Sequence, residues 1–202
     1  YYIPEVLLNL EGCFSSRLRA PNCTSSDIAN YYMTNRTCPY ARSILERAIE
    51  GGYNYLSALF GAESCATMER MEEHFFLINP VKHDGFFVTQ IDPPMKGDET
   101  NLDYYKAQLK LKVVDPMRDR LGIDVSDDAM RKAIELHNEV SRVITEIGDF
   151  RKLDNPPITG YEFHVIQLVS QVCPQRMILP YLQETLEELK TRKPEKKFPF
   201  RA

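Results

Sequence analysis

The run from Asn35 to Ile91 constrains the fold most, because helix-forming and strand-forming segments alternate in it and glycines or turn residues close most of them. Pro39 sits where a first helical residue belongs. Ile44, Leu45, Ala48 and Ile49 form an apolar stripe behind it, and Gly51-Gly52 ends the pattern. "YNYLSALFG" then reads as a strand stopped at Gly61, and "SCATMERMEEHF" as the next helix. "FFLIN" and "GFFVTQID" follow as two apolar, aromatic strand candidates separated by the turn "PVKHDG". Repeated strand, loop and helix units favour a small, mostly parallel sheet flanked by helices, an α/β arrangement.

The segment before this run is less regular. Pro4 followed by Val6, Leu7, Leu8 and Leu10 predicts a short helix closed by Gly12, and "CFSSRLR" alternates weakly enough to predict a short strand. "APNCTSSD" is a loop in which Ser25, Ser26 or Asp27 can cap a short helix through Tyr32. The back half changes character. Helical patterns run from Thr100 to Leu121, Ser126 to Arg151, Gly160 to Val172 and Gln175 to Arg192. "DNPPITG" separates two of them, since Pro156 and Pro157 forbid helix there. The expected organisation is an α/β domain over residues 1–99, a helical extension over 100–192, and a basic, proline-bearing linker over 193–202. A chain that opens on Tyr1 and closes on such a linker reads as part of a longer polypeptide.

Composition narrows the function classes. The 202 residues are 43% hydrophobic and 27% charged, ordinary for a globular chain long enough to bury its own core. A net charge of -4 gives no basic field for nucleic acid or an anionic membrane. No apolar run approaches a membrane span and no signal peptide leads the chain, so a cytoplasmic location is expected. No glycine-rich phosphate loop or nucleotide fingerprint occurs.

The five cysteines, Cys13, Cys23, Cys38, Cys65 and Cys173, show neither a disulfide framework nor a paired zinc spacing. Cys38 and Cys65 each fall beside a predicted helix start, where free backbone N–H groups and the helix dipole favour a thiolate. Cys65 also falls just beyond the carboxyl end of a predicted strand, where sites of open α/β sheets gather. Arg36, Arg42 and Arg70 lie close enough in sequence to add positive field. Taken alone, these thiols are explained by packing, as small buried hydrophobes, or by ligation, as two of the ligands of one metal centre. Two ligands complete neither a tetrahedral zinc site nor a usual iron-sulfur set. Cys23, in a polar loop, and Cys173, before Pro174, read as structural.

Three elements in order, "YYIPEVLLNLEGCF", "CPYARSILERAIEGGYNYLSALFGAESCATMERM" and "DNPPITGYE", resemble the iron-sulfur subunits of the 2-hydroxyacyl-CoA dehydratase and benzoyl-CoA reductase family. The first is similar to that family's "P-E-E-L-I-x-A-A-G" opening, and the last to its "P-P-(I/L)-x-G-x-E" turn. The likeness covers nearly the whole chain. It implies that Cys38 and Cys65 are two of three protein thiolates holding a 4Fe-4S cluster whose remaining iron site is open or bound by a non-protein ligand, the third thiolate coming from a second α/β domain that follows the helical extension and the linker. Cys13 stands where the family usually carries an apolar residue and is not counted as a ligand.

The resemblance also implies a chemistry. An activator iron-sulfur protein that hydrolyses ATP supplies one electron, the thioester carbonyl of a 2-hydroxyacyl-CoA becomes a ketyl radical, hydroxide leaves, and the electron is returned. It implies an anaerobic enzyme built as a heterodimer with a homologous second subunit. A double-cubane cluster reductase of the same family and a cluster-free scaffold or assembly subunit are the alternatives.

No catalytic residue stands out. His83 and Asp84 have the chemistry for proton transfer but are equally explained by a polar turn, and His137 and His164 lie in helical patterns as structural or surface residues. Glu63, Ser64 and Thr67 flank Cys65 as hydrogen-bonding or capping groups.

Overall fold

The computed structural model of the chain describes residues 2–194. Most of the expected linker, residues 195–202, lies outside the described residues. Two compact units emerge. One joins Leu18–Val125 to the chain start through Leu7, and the other joins Leu8–Arg17 to the chain from Ser126 onward.

In the first unit, helix α1 (Ala29–Tyr32) precedes α2 (Pro39–Ile49), strand β1 (Ala58–Ala62), α3 (Ala66–Ile78) and strand β2 (Phe87–Ile91). Helix α4 (Glu99–Leu109) then continues through one π turn, Lys110–Val114, into α5 (Asp115–Leu121). β1 and β2 pair in parallel with Ala58 opposite Phe87 and Ala62 opposite Ile91, so α3 is the crossover between them. This matches the expected small parallel sheet flanked by helices. Ala41, Ile44, Leu45 and Ala48 of α2 meet Met71 and Phe75 of α3 in one buried core, with Tyr53 and Leu59. The Tyr53 ring stacks on Phe75, and its hydroxyl donates to Arg19 O at 2.7 Å. The π turn falls just ahead of Pro116, which has no N–H to donate.

Two expectations fail here. "FFLIN" is not a strand. Met68, Met71, Phe75 and Ile78 hold helical spacing against the core, while Phe76 and Leu77 point outward at 73% and 67% exposure, so the helix runs on to Asn79, whose left-handed φ of 43° stops it. "CFSSRLR" forms no strand either. Phe14 stays half exposed, and the segment is tied down singly, by Arg17 N donating to Gln171 O and Ser15 N to the Asn9 side chain.

The second unit is helical: α6 (Asp127–Asp149), α7 (Gly160–Ser170) and α8 (Gln175–Thr191). Val140, Val143 and Ile147 of α6 pack with Phe163 of α7 and with Ile178, Leu182, Leu186 and Leu189 of α8. Ser126 caps α6 by accepting from Ala129 N. Thr159 and Glu162 form a reciprocal capping box at α7, directly after the "DNPPITG" turn that the sequence marks as a boundary. The element from Pro4 is only a single 3-10 turn, Glu5–Leu8, and Gly12 follows with φ 89°, a conformation that favours glycine. Among the described residues no helix is long and apolar enough to cross a membrane.

Candidate functional site

Cys38 is the N-cap of α2 and Cys65 the N-cap of α3. Both are free thiols, and both are exposed, so neither packs as a core hydrophobe. Pro39 at N1 explains the first position, because proline is pre-set for the opening turn and needs no partner for a missing N–H. Cys38 O accepts from Arg42 N at 3.2 Å, and Cys65 O from Glu69 N at 3.0 Å, so each cysteine closes the first turn of its helix.

The environment of Cys65 favours the thiolate. Its Sγ lies 3.2 Å from Thr67 Oγ1, and this hydrogen bond, followed by the backbone N–H groups of Met68 and Thr67, pulls its pKa below the ordinary thiol value. Thr67 is thus more than a cap, since its hydroxyl faces the sulfur. No arginine is among the influences that lower the Cys65 pKa. Arg42 donates to Thr37 O, Ser26 Oγ and Asn30 Oδ1, bracing the loop ahead of Cys38 and the start of α1. Arg70 pairs with Glu73 at 2.5 Å.

The structure also places a group that the sequence reading overlooked. Glu72 sits two turns after Cys65 on α3, only 7% exposed, with its carboxyl against Gly61 of β1. A Cβ at residue 61 would lie 2.0 Å from Oε2 of Glu72, so only glycine leaves the carboxylate room. Gln90 of β2 donates to Glu72 Oε2 at 2.9 Å. Burial pushes this carboxyl up to about 7, against the opposing Gln90 bond, with Glu69 adding repulsion. A signal was present. Met68, Glu72 and Phe75 share one helical face, and a carboxylate at such a position is either paired or titrates abnormally. At the same end of the sheet Glu63 N donates to Ile91 O, and Tyr104 donates to Asp92 at 2.8 Å. Partial desolvation, then Asp92 and Glu69, raise the Glu63 pKa.

The remaining sequence candidates stand apart. Cys23 donates to Ser25 O at 2.9 Å in its loop, and Cys173 packs at the edge of the helical core. Cys13 donates toward Leu10 O at 3.5 Å, and burial raises its pKa. His83 and Asp84 are exposed in the turn between α3 and β2, and Phe86 N donates to His83 O. His137 pairs through Nδ1 with the Gln175 amide, and His164 is exposed on α7. Among the described residues no group of three or more His, Cys, Asp or Glu is gathered to hold a metal ion. The donor chemistry of Cys38 and Cys65, two free and exposed thiols at helix N-termini, fits a thiophilic metal or cluster in kind but not in number.

A model of the family described as 2-hydroxyglutaryl-CoA dehydratase, D-component, matches residues 1–201. The chain belongs to this family. The dehydratase relatives include the (R)-phenyllactyl-CoA dehydratase beta subunit of Clostridium sporogenes, 25% identical over 147 residues, which is 73% of this chain and 38% of that protein. The lactoyl-CoA dehydratase subunit beta of Anaerotignum propionicum is 22% identical over 145 residues, 72% of this chain and 37% of its own length. The chain therefore spans under two fifths of these relatives. The family that the three sequence elements resemble is the family found, and both of these relatives are named as dehydratase subunits.

Proposed function

We propose that this member of the dehydratase D-component family is part of an iron-sulfur subunit that removes water from a 2-hydroxyacyl-CoA, with Cys38 and Cys65 as two of the three protein ligands of a 4Fe-4S cluster. The observation that carries this is the family match along nearly the whole chain, combined with two free, exposed thiols capping two helices that share one core. The third thiolate, on this reading, comes from residues outside this chain. A homologous second subunit, an ATP-dependent activator and a reducing, cytoplasmic compartment belong to the same proposal.

When bound, such a cluster supplies an electron and a Lewis-acidic iron. The chain's own residues have separate tasks. The start of α3 lowers the pKa of the Cys65 thiol through Thr67 Oγ1 and the N–H groups of Met68 and Thr67, which favours the ligating thiolate. Arg42 fixes the Thr37 carbonyl and the Ser26 and Asn30 side chains, so that the loop entering Cys38 is presented in one conformation. The α2–α3 core sets the separation of the two helix starts, which a rigid ligand pair requires.

Anaerobic reconstitution of the full polypeptide with iron and sulfide tests this. Wild type is expected to gain the broad visible absorption and, once reduced, the spin-resonance signal of a 4Fe-4S cluster, while Cys38→Ala and Cys65→Ala each lose most of it with helical content unchanged. A full, unaltered signal in both variants would rule out the ligand assignment. A spectrum of strongly coupled clusters with about twice the iron would instead indicate a double-cubane reductase.

A further inference from the structure

Helix α1 has four residues, too few to be stable by itself, so what holds it comes from its neighbours. On the α2 side, Glu46 is buried and accepts from Ile28 N and Ala29 N at 3.3 and 2.6 Å. Arg42, one turn earlier on the same helix, donates to Ser26 Oγ and Asn30 Oδ1. On the α3 side, His74 Nε2 lies 3.0 Å from Tyr32 O, and the rings of the two residues meet at 5.7 Å. A carbonyl can only accept, so Nε2 carries the hydrogen and donates. Ala29 and Met33 are buried in the core that α2 and α3 share.

From this clamp the chain leads straight to Cys38. After Met33 comes a turn in which Thr37 N and Thr37 Oγ1 both donate to Thr34 O, and Cys38 follows as the N-cap of α2. The segment 26–33 is therefore a strap across the two helices that begin at Cys38 and Cys65. Its apolar contacts are non-directional and hold it to the core without fixing how far it slides along α3. A hydrogen bond to one carbonyl is directional. The last carbonyls of a helix lack an intrahelical donor, and at the end of α1 His74 supplies one from α3.

We propose that His74 is a positioning residue: by tying Tyr32 O to α3, it sets where the segment 33–37 delivers Cys38 relative to Cys65. The role rests on the reading of both cysteines as ligands of one cluster, which requires their sulfurs at a fixed separation. His74 acts through the strap and is not itself a ligand.

Two substitutions separate the donor from the ring. His74→Phe keeps a ring beside Tyr32 and removes the N–H, whereas His74→Gln keeps an N–H donor and removes the ring. Hydrogen exchange of the full polypeptide, read by mass spectrometry, follows one peptide spanning residues 33–38 and another spanning 66–72. The first carries Thr37 N, bonded to Thr34 O, and the second Glu69 N, bonded to Cys65 O. In His74→Phe, exchange in the first peptide should rise about fivefold, the effect of one lost hydrogen bond, while the second, on the helix of His74 itself, stays unchanged. His74→Gln should return the first to near the wild-type rate. After anaerobic reconstitution with iron and sulfide, His74→Phe is expected to yield iron to a chelator about fivefold faster than wild type, following the same opening. An unchanged first peptide in His74→Phe, or an equal rise in both peptides, which marks general loosening of the fold, would overturn the proposal. Iron loss at the wild-type rate from a fully loaded His74→Phe would do the same. Wild type that takes up no iron overturns the ligand reading instead, and this role falls with it.

Discussion

Replacing Glu72 by glutamine removes one ionisable proton while keeping the shape of a side chain wedged between Gly61 and Gln90. The residue is 7% exposed, and its carboxyl is pushed up to about 7 from 4.5, chiefly because burial penalises the charge. Below about pH 4.5 it is protonated folded or unfolded and has no pH-dependent effect. As pH rises, the unfolded chain releases the proton first, so the folded state loses stability from about pH 4.5 until the carboxyl ionises near pH 7, and the loss is constant above that. A shift from 4.5 to about 7 corresponds to about 3 kcal/mol, of which some 2–3 kcal/mol falls between pH 5 and pH 8. Urea unfolding followed by circular dichroism, for wild type and Glu72→Gln at stepped pH, gives the difference free of the other titrating groups. The variant should gain on wild type by that amount across the interval, whatever constant offset its extra amide proton adds. A difference that stays flat from pH 5 to pH 8 would refute the buried-carboxylate argument.

Two further outcomes follow from single hydrogen bonds. Thr67→Val should raise the pKa of Cys65 and slow its alkylation by iodoacetamide near neutral pH, with the Cys38 rate as internal control, because Thr67 Oγ1 is the leading influence that lowers it. Glu46→Ala should cost about 2–3 kcal/mol in thermal or urea unfolding, since Glu46, 2% exposed, accepts from Ile28 N and Ala29 N and its loss leaves both donors unpaired.

The helices were readable where caps and stripes agree. Pro39 with Gly51-Gly52, Ser126 with the Val140, Val143 and Ile147 face, and the proline turn before Thr159 each mark an end or a face by local chemistry alone. The run Phe75 to Ile78 misled because its composition suits a strand, while only its phase with Met68 and Met71 reveals the helix. Cys38 and Cys65 were legible as helix starts, and their exposure decides against core packing. Glu72 escaped because carboxylates in amphipathic helices usually face water, and its burial depends on Gly61 and Gln90, which the fold brings from two other elements.

The assignment of Leu8–Arg17 to the helical unit, while the residues on both sides of it belong to the sheet unit, has a practical meaning for anyone dividing the gene. A fragment starting at Ser126 would lack Leu10, which is 2% exposed, and the Arg17 N–H that satisfies Gln171 O. Adding a synthetic peptide of residues 8–17 should restore what the truncation removes, in the manner of a split protein rescued by its complement. Each of the two units is written in the gene as separated pieces, and an isolated helical half becomes a sensor for its own missing decapeptide.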